Sequence, residues 1–98
     1  MTVTDAPERS RYELHDGEEL LGWVDYRPAG RSVIIAHTEV REGGEGQGWG
    51  SQLVRAVLED LRGRGVTAYP MCPFTAAFIQ RHPEYLDVVD PSWRGRFG

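Results

Sequence analysis

The chain has 98 residues, 40% apolar and 27% charged, which suits one small globular domain with a thin core. Eleven basic against fifteen acidic side chains leave a net charge of −4, which argues against a general nucleic-acid binder, whose binding face would be basic. A single cysteine excludes an internal disulfide framework, no Cys/His cluster has zinc spacing, and no apolar run matches a membrane span or a secretory leader, so a cytoplasmic protein without metal is expected.

Residues 1–10 are polar, contain Pro7 and show no periodicity, which predicts a loose N-terminal arm. Residues 11–15 alternate as a short strand, and Asp16-Gly17 follows as a hairpin signal. A second strand covers residues 18–27, the turn Pro28-Ala29-Gly30-Arg31 comes next, and residues 32–40 form a third strand. Short turns between three strands read as an antiparallel meander.

Strict alternation in the third strand puts Ile34, Ala36, Thr38 and Val40 on one face, with Val33, Ile35, His37 and Glu39 on the other. Apolar residues on both faces suggest a central strand, and its polar end runs into Glu45-Gly46-Gln47-Gly48-Trp49-Gly50. A helix from Ser51 to about Arg64 carries Leu53, Val54, Val57, Leu58 and Leu61 on one stripe, stopped by Gly63 or Gly65. Residues 66–71 read as a strand returned to the sheet by that crossover, with Pro70 beside an edge or an opening. A second helix spans residues 73–82, with Pro73 at its first position and Pro83 closing it. Tyr85 to Val89 form a short strand or docked turn, and residues 91–98 a frayed tail anchored by Trp93 and Phe97.

Strand, glycine turn and helix N-terminus together suit phosphate. Amides without helical partners point outward there, and the helix dipole adds partial positive charge. A glycine turn by itself is more often simple turn chemistry than a phosphate site. This one lacks the Lys-[Ser/Thr] of a P-loop, and no strand–helix–strand unit precedes it as a dinucleotide fold requires.

Within this setting, Gly46-Gln47-Gly48-Trp49-Gly50 resembles motif A of the GNAT N-acetyltransferase superfamily, Q/R-x-x-G-x-G/A, with Gly48 and Gly50 at the two small positions. His37-Thr38-Glu39-Val40, Tyr69-Pro70-Met71-Cys72-Pro73-Phe74 and Arg81-His82-Pro83-Glu84-Tyr85 extend the likeness to the minimal GNAT-like proteins, over about residues 12–90. The first motif position, Arg or Gln in that family, is Glu45, a repulsive neighbour for a pyrophosphate that Arg41 is placed to offset. The resemblance implies an α+β fold and an acetyl-CoA-dependent N-acetyltransferase, an acyltransferase that moves an acetyl group from coenzyme A to an amine. The acceptor is a small molecule or a protein, with no nucleic acid or membrane partner. It further implies Val40, Gly46, Gln47, Gly48, Trp49, Gly50 and Ser51 as the cofactor-binding residues.

Cys72 would be the N-cap of the second helix, where the dipole favours thiolate, a competent nucleophile for a thioester. The family places its proposed active-site cysteine at this position. The other reading is a buried cysteine acting as a small apolar residue. His37 is a candidate acid–base group, with Glu39 a comparable base two residues on; otherwise His37 serves the sheet or loop. His82 suits a helix cap, and His15 an exposed position. Trp23, Tyr26, Phe74, Phe78 and Tyr85 are expected in the core, with Trp49 stapling the helix start to the sheet. The rival reading is a non-catalytic acyl-CoA-binding or interaction module. A monomer or a weak homodimer paired through an exposed sheet edge is expected.

Overall fold

A computed structural model describes residues 1–44 and 46–97; Glu45, the first motif position, and Gly98 lie outside the described residues. Chain order is β1 (Thr2–Ala6), β2 (Arg11–Asp16), β3 (Glu19–Ala29), β4 (Ser32–Val40), α1 (Trp49–Arg64), β5 (Thr67–Pro70) and α2 (Pro73–Arg81). Short 3₁₀ helices cover Pro7–Arg9, Pro83–Val88 and Arg94–Phe97. The strands lie side by side in chain order, antiparallel except for the parallel β4–β5 pair that α1 connects.

The meander is as expected, with two corrections at its ends. Gly30 takes φ +63°, a left-handed conformation most side chains avoid, and closes a two-residue turn in which Ala29 pairs with Ser32. Pro28, expected in that turn, instead pairs with Val33 inside β3. The predicted N-terminal arm is an edge strand, with Val3 opposite Leu14. Its polarity hid it. Val3 is its one large apolar residue, and side-chain bonds supply the anchorage that periodicity cannot show. Asp5 accepts the Tyr26 hydroxyl at 2.5 Å and lies 3.4 Å from Arg64 on α1.

α1 starts at Trp49, two residues before the predicted start at Ser51, because Gly48 supplies a left-handed N-cap at φ +79°. Its five predicted apolar residues are all buried against Leu14, Val24 and Ile35 of the sheet. Gly65 ends it, donating its amide to the Arg62 and Leu61 carbonyls. Phe78 and Ile79 of α2 and Tyr85, Val88 and Val89 beyond it complete the same cluster. The C-terminal residues are docked rather than frayed. Asp90 gathers the Ser32 hydroxyl at 2.6 Å and the Ser92 hydroxyl at 2.7 Å, and Trp93 meets Tyr69 edge-on at 5.5 Å.

One irregularity positions the site. Asp25 of β3 pairs with His37 but Tyr26 with Ile35, so Ala36 is an extra, bulged residue in β4. A bulge reverses the alternation. Opposed residues share a face, so Ile35 beside Tyr26 and Thr38 beside Val24 both lie on the helix-covered face. His37 and Glu39, opposite Asp25 and Trp23, lie on the other. The predicted face assignment is therefore corrected: Thr38 and Val40 join Ile35, while His37 and Glu39 are separated from it.

Candidate active site

Parallel pairing between β4 and β5 stops at Ile35–Pro70, since proline brings no N–H to continue it. The Ile35 carbonyl then accepts both the Met71 amide at 3.1 Å and the Cys72 amide at 3.0 Å, which turns the chain into α2. β4 runs on through residues 36–40 paired with β3 and without β5. Between the two diverging segments opens a cavity of about 580 Å³, a volume typical of small-molecule sites.

Its walls come from three elements. β4 contributes Thr38 and Val40; the loop and the first turn of α1 contribute Gly44, Gly46 and Gly48 to Ser51; Phe74 closes the α2 side. The first helical bond of α1 runs from the Gln52 amide to the Gly48 carbonyl at 3.0 Å, so the amides of Trp49, Gly50 and Ser51 precede the helical ladder. At two glycines of the site a Cβ would run into an aromatic side chain. A Cβ on Gly44 would stand 2.5 Å from the Trp49 ring, and one on Gly50 would stand 2.8 Å from the tip of Phe74. Trp49 thus staples loop to core, as expected, while also lining the cavity. Phe74 is a correction. It is 41% exposed, a cavity wall rather than core, because the N-cap turn at Cys72 aims the start of α2 at Gly50.

Cys72 is the N-cap of α2, as predicted, and is 4% exposed. Its sulfur lies 3.5 Å from the Thr38 hydroxyl, behind the cavity wall and not on it. Burial pushes this thiol up, but the Thr38 hydroxyl and the Thr75 and Phe74 amides outweigh it and hold the thiol below its ordinary range. Thr75 is fully buried; its hydroxyl lies toward the sulfur and finds no hydrogen-bond partner among the described residues. Sequence reasoning gave neither threonine a role. Thr75 carries no local signal, and Thr38 was assigned away from Ile35 by an alternation that the bulge breaks.

His37 is exposed on the open face of the sheet, with Nε2 2.9 Å from a Glu39 carboxylate oxygen. That hydrogen bond raises the imidazole pKa against a small opposing effect of burial. The two base candidates are thus one pair. His82 caps α2, donating its amide to the Phe78 and Ile79 carbonyls, and its ring lies 4.4 Å from that of Phe78. His15, expected in solvent, is half-buried 3.5 Å from Glu13. Gln47 is exposed and lies outside the cavity wall, its amide bonded to the Gly44 carbonyl. Arg41, expected to offset Glu45, is paired with Glu19 of β3.

The sequence over residues 11–88 matches the family model for GCN5-related N-acetyl-transferases. The chain belongs to that family. This GNAT chain also resembles the NMR solution structure of a GCN5-like protein from Staphylococcus aureus, with a TM-score of 0.69 and 25% identity. The match covers 91% of the GNAT chain and 87% of the other. No curated protein matches the sequence. Membership agrees with the mixed five-stranded sheet and the α+β class expected from the sequence. Among the described residues no helix of this GNAT chain is long and apolar enough to cross a membrane.

Proposed function

We propose that this protein transfers an acetyl group from acetyl-CoA to an amine. The observation that carries the reading is the β4–β5 opening, which joins the glycine-loop cavity to the Cys72–Thr38 pair. The donor set suits a pyrophosphate: amides at a helix start, and glycines at 46 and 48 with open space where a Cβ would stand. Acetyl-CoA supplies an activated thioester and a good leaving thiol.

Val40, Trp49 and Phe74 give the pantetheine arm an apolar slot leading toward Thr38. In the covalent route the Cys72 sulfur attacks as thiolate and bonds to the acetyl carbon as that carbon's bond to the coenzyme A sulfur breaks; coenzyme A leaves as a thiolate and takes its proton from solvent. Thr38 and the amides at the start of α2 stabilise the thiolate form of Cys72. An acceptor ammonium entering through the β4–β5 opening then loses its proton to water, and the His37–Glu39 pair on the opposite face of β4 takes that proton up as base. The acceptor nitrogen takes the acetyl group and sheds its second proton to solvent, and the bond to Cys72 breaks to restore the thiolate. Glu39 stabilises the imidazolium that forms. Direct attack of the amine on the thioester uses the same His37 and leaves Cys72 unmodified.

The second reading, a binder without turnover, is favoured by the exposure of both His37 and Glu39, each about half open to solvent. Calorimetric titration of acetyl-CoA followed by intact-mass measurement separates the cases. Binding with an adduct of about 42 Da that Cys72→Ala abolishes supports the covalent route. Binding and turnover on an amine panel without an adduct supports direct transfer. Binding alone, across that panel, supports the passive module, and a folded sample that binds nothing overturns the proposal.

A further inference from the structure

All eleven basic residues of this chain are arginines; it contains no lysine. None of them lines the cavity, whose polar side chains among the described residues are the neutral Thr38 and Ser51. Of the arginines nearest in sequence to the cavity walls, two have partners elsewhere and the third stands away from the wall along α2. Arg41 follows Val40 but is paired with Glu19. Arg55, on α1, lies over the Phe78 ring at 5.2 Å and donates to the Tyr85 hydroxyl at 3.2 Å. Arg81 stands at the far end of α2 from Phe74. Glu42, in the loop itself, is exposed and acidic, and Glu45, outside the described residues, brings no cation either.

Coenzyme A carries two kinds of phosphate. The pyrophosphate is singly charged at each phosphorus and suits neutral amide donors at a helix start. The 3′-phosphate on the ribose is a monoester with a charge of about −1.5 to −2 at neutral pH, and protein sites that read such a group use guanidinium or ammonium donors. A cavity with the first kind of donor and none of the second discriminates one phosphate and not the other. The chain's net charge of −4 gives no long-range attraction for the extra charge.

We infer that this site does not read the 3′-phosphate of coenzyme A, so that dephospho-coenzyme A thioesters are taken as donors as readily as coenzyme A thioesters. Recognition rests on the thioester, the pantetheine arm and the pyrophosphate. This rests on the coenzyme A reading above and narrows the donor class.

The test titrates acetyl-CoA and acetyl-dephospho-CoA into the full chain, each at low and high sodium chloride. The two dissociation constants are expected to agree within about threefold at both ionic strengths, because no fixed cation is there for salt to screen. A preference for acetyl-CoA beyond about threefold at either ionic strength overturns the inference while leaving the coenzyme A site intact. Arg41→Ala then identifies the cause: loss of the preference means that Arg41 leaves Glu19 to hold the phosphate. Failure of both ligands to bind a folded sample overturns the coenzyme A reading itself, and the two failures are distinguishable in one experiment.

Discussion

Cys72 and His37 illustrate how little of a side chain's chemistry is its own. The thiol is almost wholly buried, which alone would keep it protonated, and its lowered pKa comes from the Thr38 hydroxyl and the first amides of α2. Thr38→Val is therefore expected to raise the thiol pKa. The pH midpoint of iodoacetamide alkylation should move up with the thermal midpoint nearly unchanged; an unmoved alkylation profile would remove Thr38 from the account. His37 is raised by its hydrogen bond to Glu39, so as a base it is neutral only above an elevated pKa. Glu39→Gln should lower that pKa and shift the acid limb of kcat/KM toward lower pH. Stability should not change, because both side chains are about half exposed and such pairs contribute little. An acid limb that stays in place would mean that some other group takes the proton.

At the scale of elements, the loop is read best through its contacts. Gly44 and Gly50 both lack room for a Cβ, but what they would strike differs. Trp49 is packed against the core, and a Cβ on Gly44 would also meet the Arg41 carbonyl at 3.0 Å, so Gly44→Ala is expected to cost about 1–3 kcal/mol in urea denaturation and to weaken acetyl-CoA binding. Phe74 is partly exposed and can swing away, and alanine gains helix propensity over glycine, so Gly50→Ala should change stability by less than about 1 kcal/mol. Its effect should fall on ligand affinity. If the two variants behaved alike in denaturation, the Trp49 staple would not be rigid. The helix stripe of α1, the Gly65 cap and the Pro73 start of α2 were legible in sequence because each is a local rule. β1 was not, since five mostly polar residues at an edge carry no periodic signal.

Across the whole molecule, a tyrosine–aspartate network ties the edge strand to the helix layer. Tyr12 donates to Asp60 at 2.6 Å, Tyr26 to Asp5 at 2.5 Å, and Arg64 lies 3.0 Å from Asp60 and 3.4 Å from Asp5. Tyr12→Phe, which removes one of these bonds, should cost about 0.5–1.5 kcal/mol, read from the denaturant midpoint. Burial, and then the bond to Asp5, push Tyr26 from 10.0 up to about 12. An acid whose pKa is raised by folding stabilises the fold fully below its unfolded value and loses that contribution as pH rises through the folded one. Unfolding free energy should therefore fall between about pH 10 and 12, less steeply in Tyr26→Phe than in the parent chain. Equal slopes would show that the network does not couple to titration.

The sequence by itself determined the meander, the crossover helix, the second helix and the glycine turn between strand and helix. Those follow from short-range chemistry: alternation, helical spacing, glycine and proline at fixed offsets. It also carried the family, through blocks that lie apart in the chain. The tertiary structure decided what those blocks do to one another. Ala36 bulges only because β3 offers one partner for two residues, and that single insertion turns Thr38 toward Cys72 and His37 away from it. The end of the β4–β5 ladder at Pro70, the exposure of Phe74 and the capture of Arg41 by Glu19 are likewise long-range outcomes. Pairing register and side-chain reach across strands set them, and neither is written in the spacing of neighbouring residues.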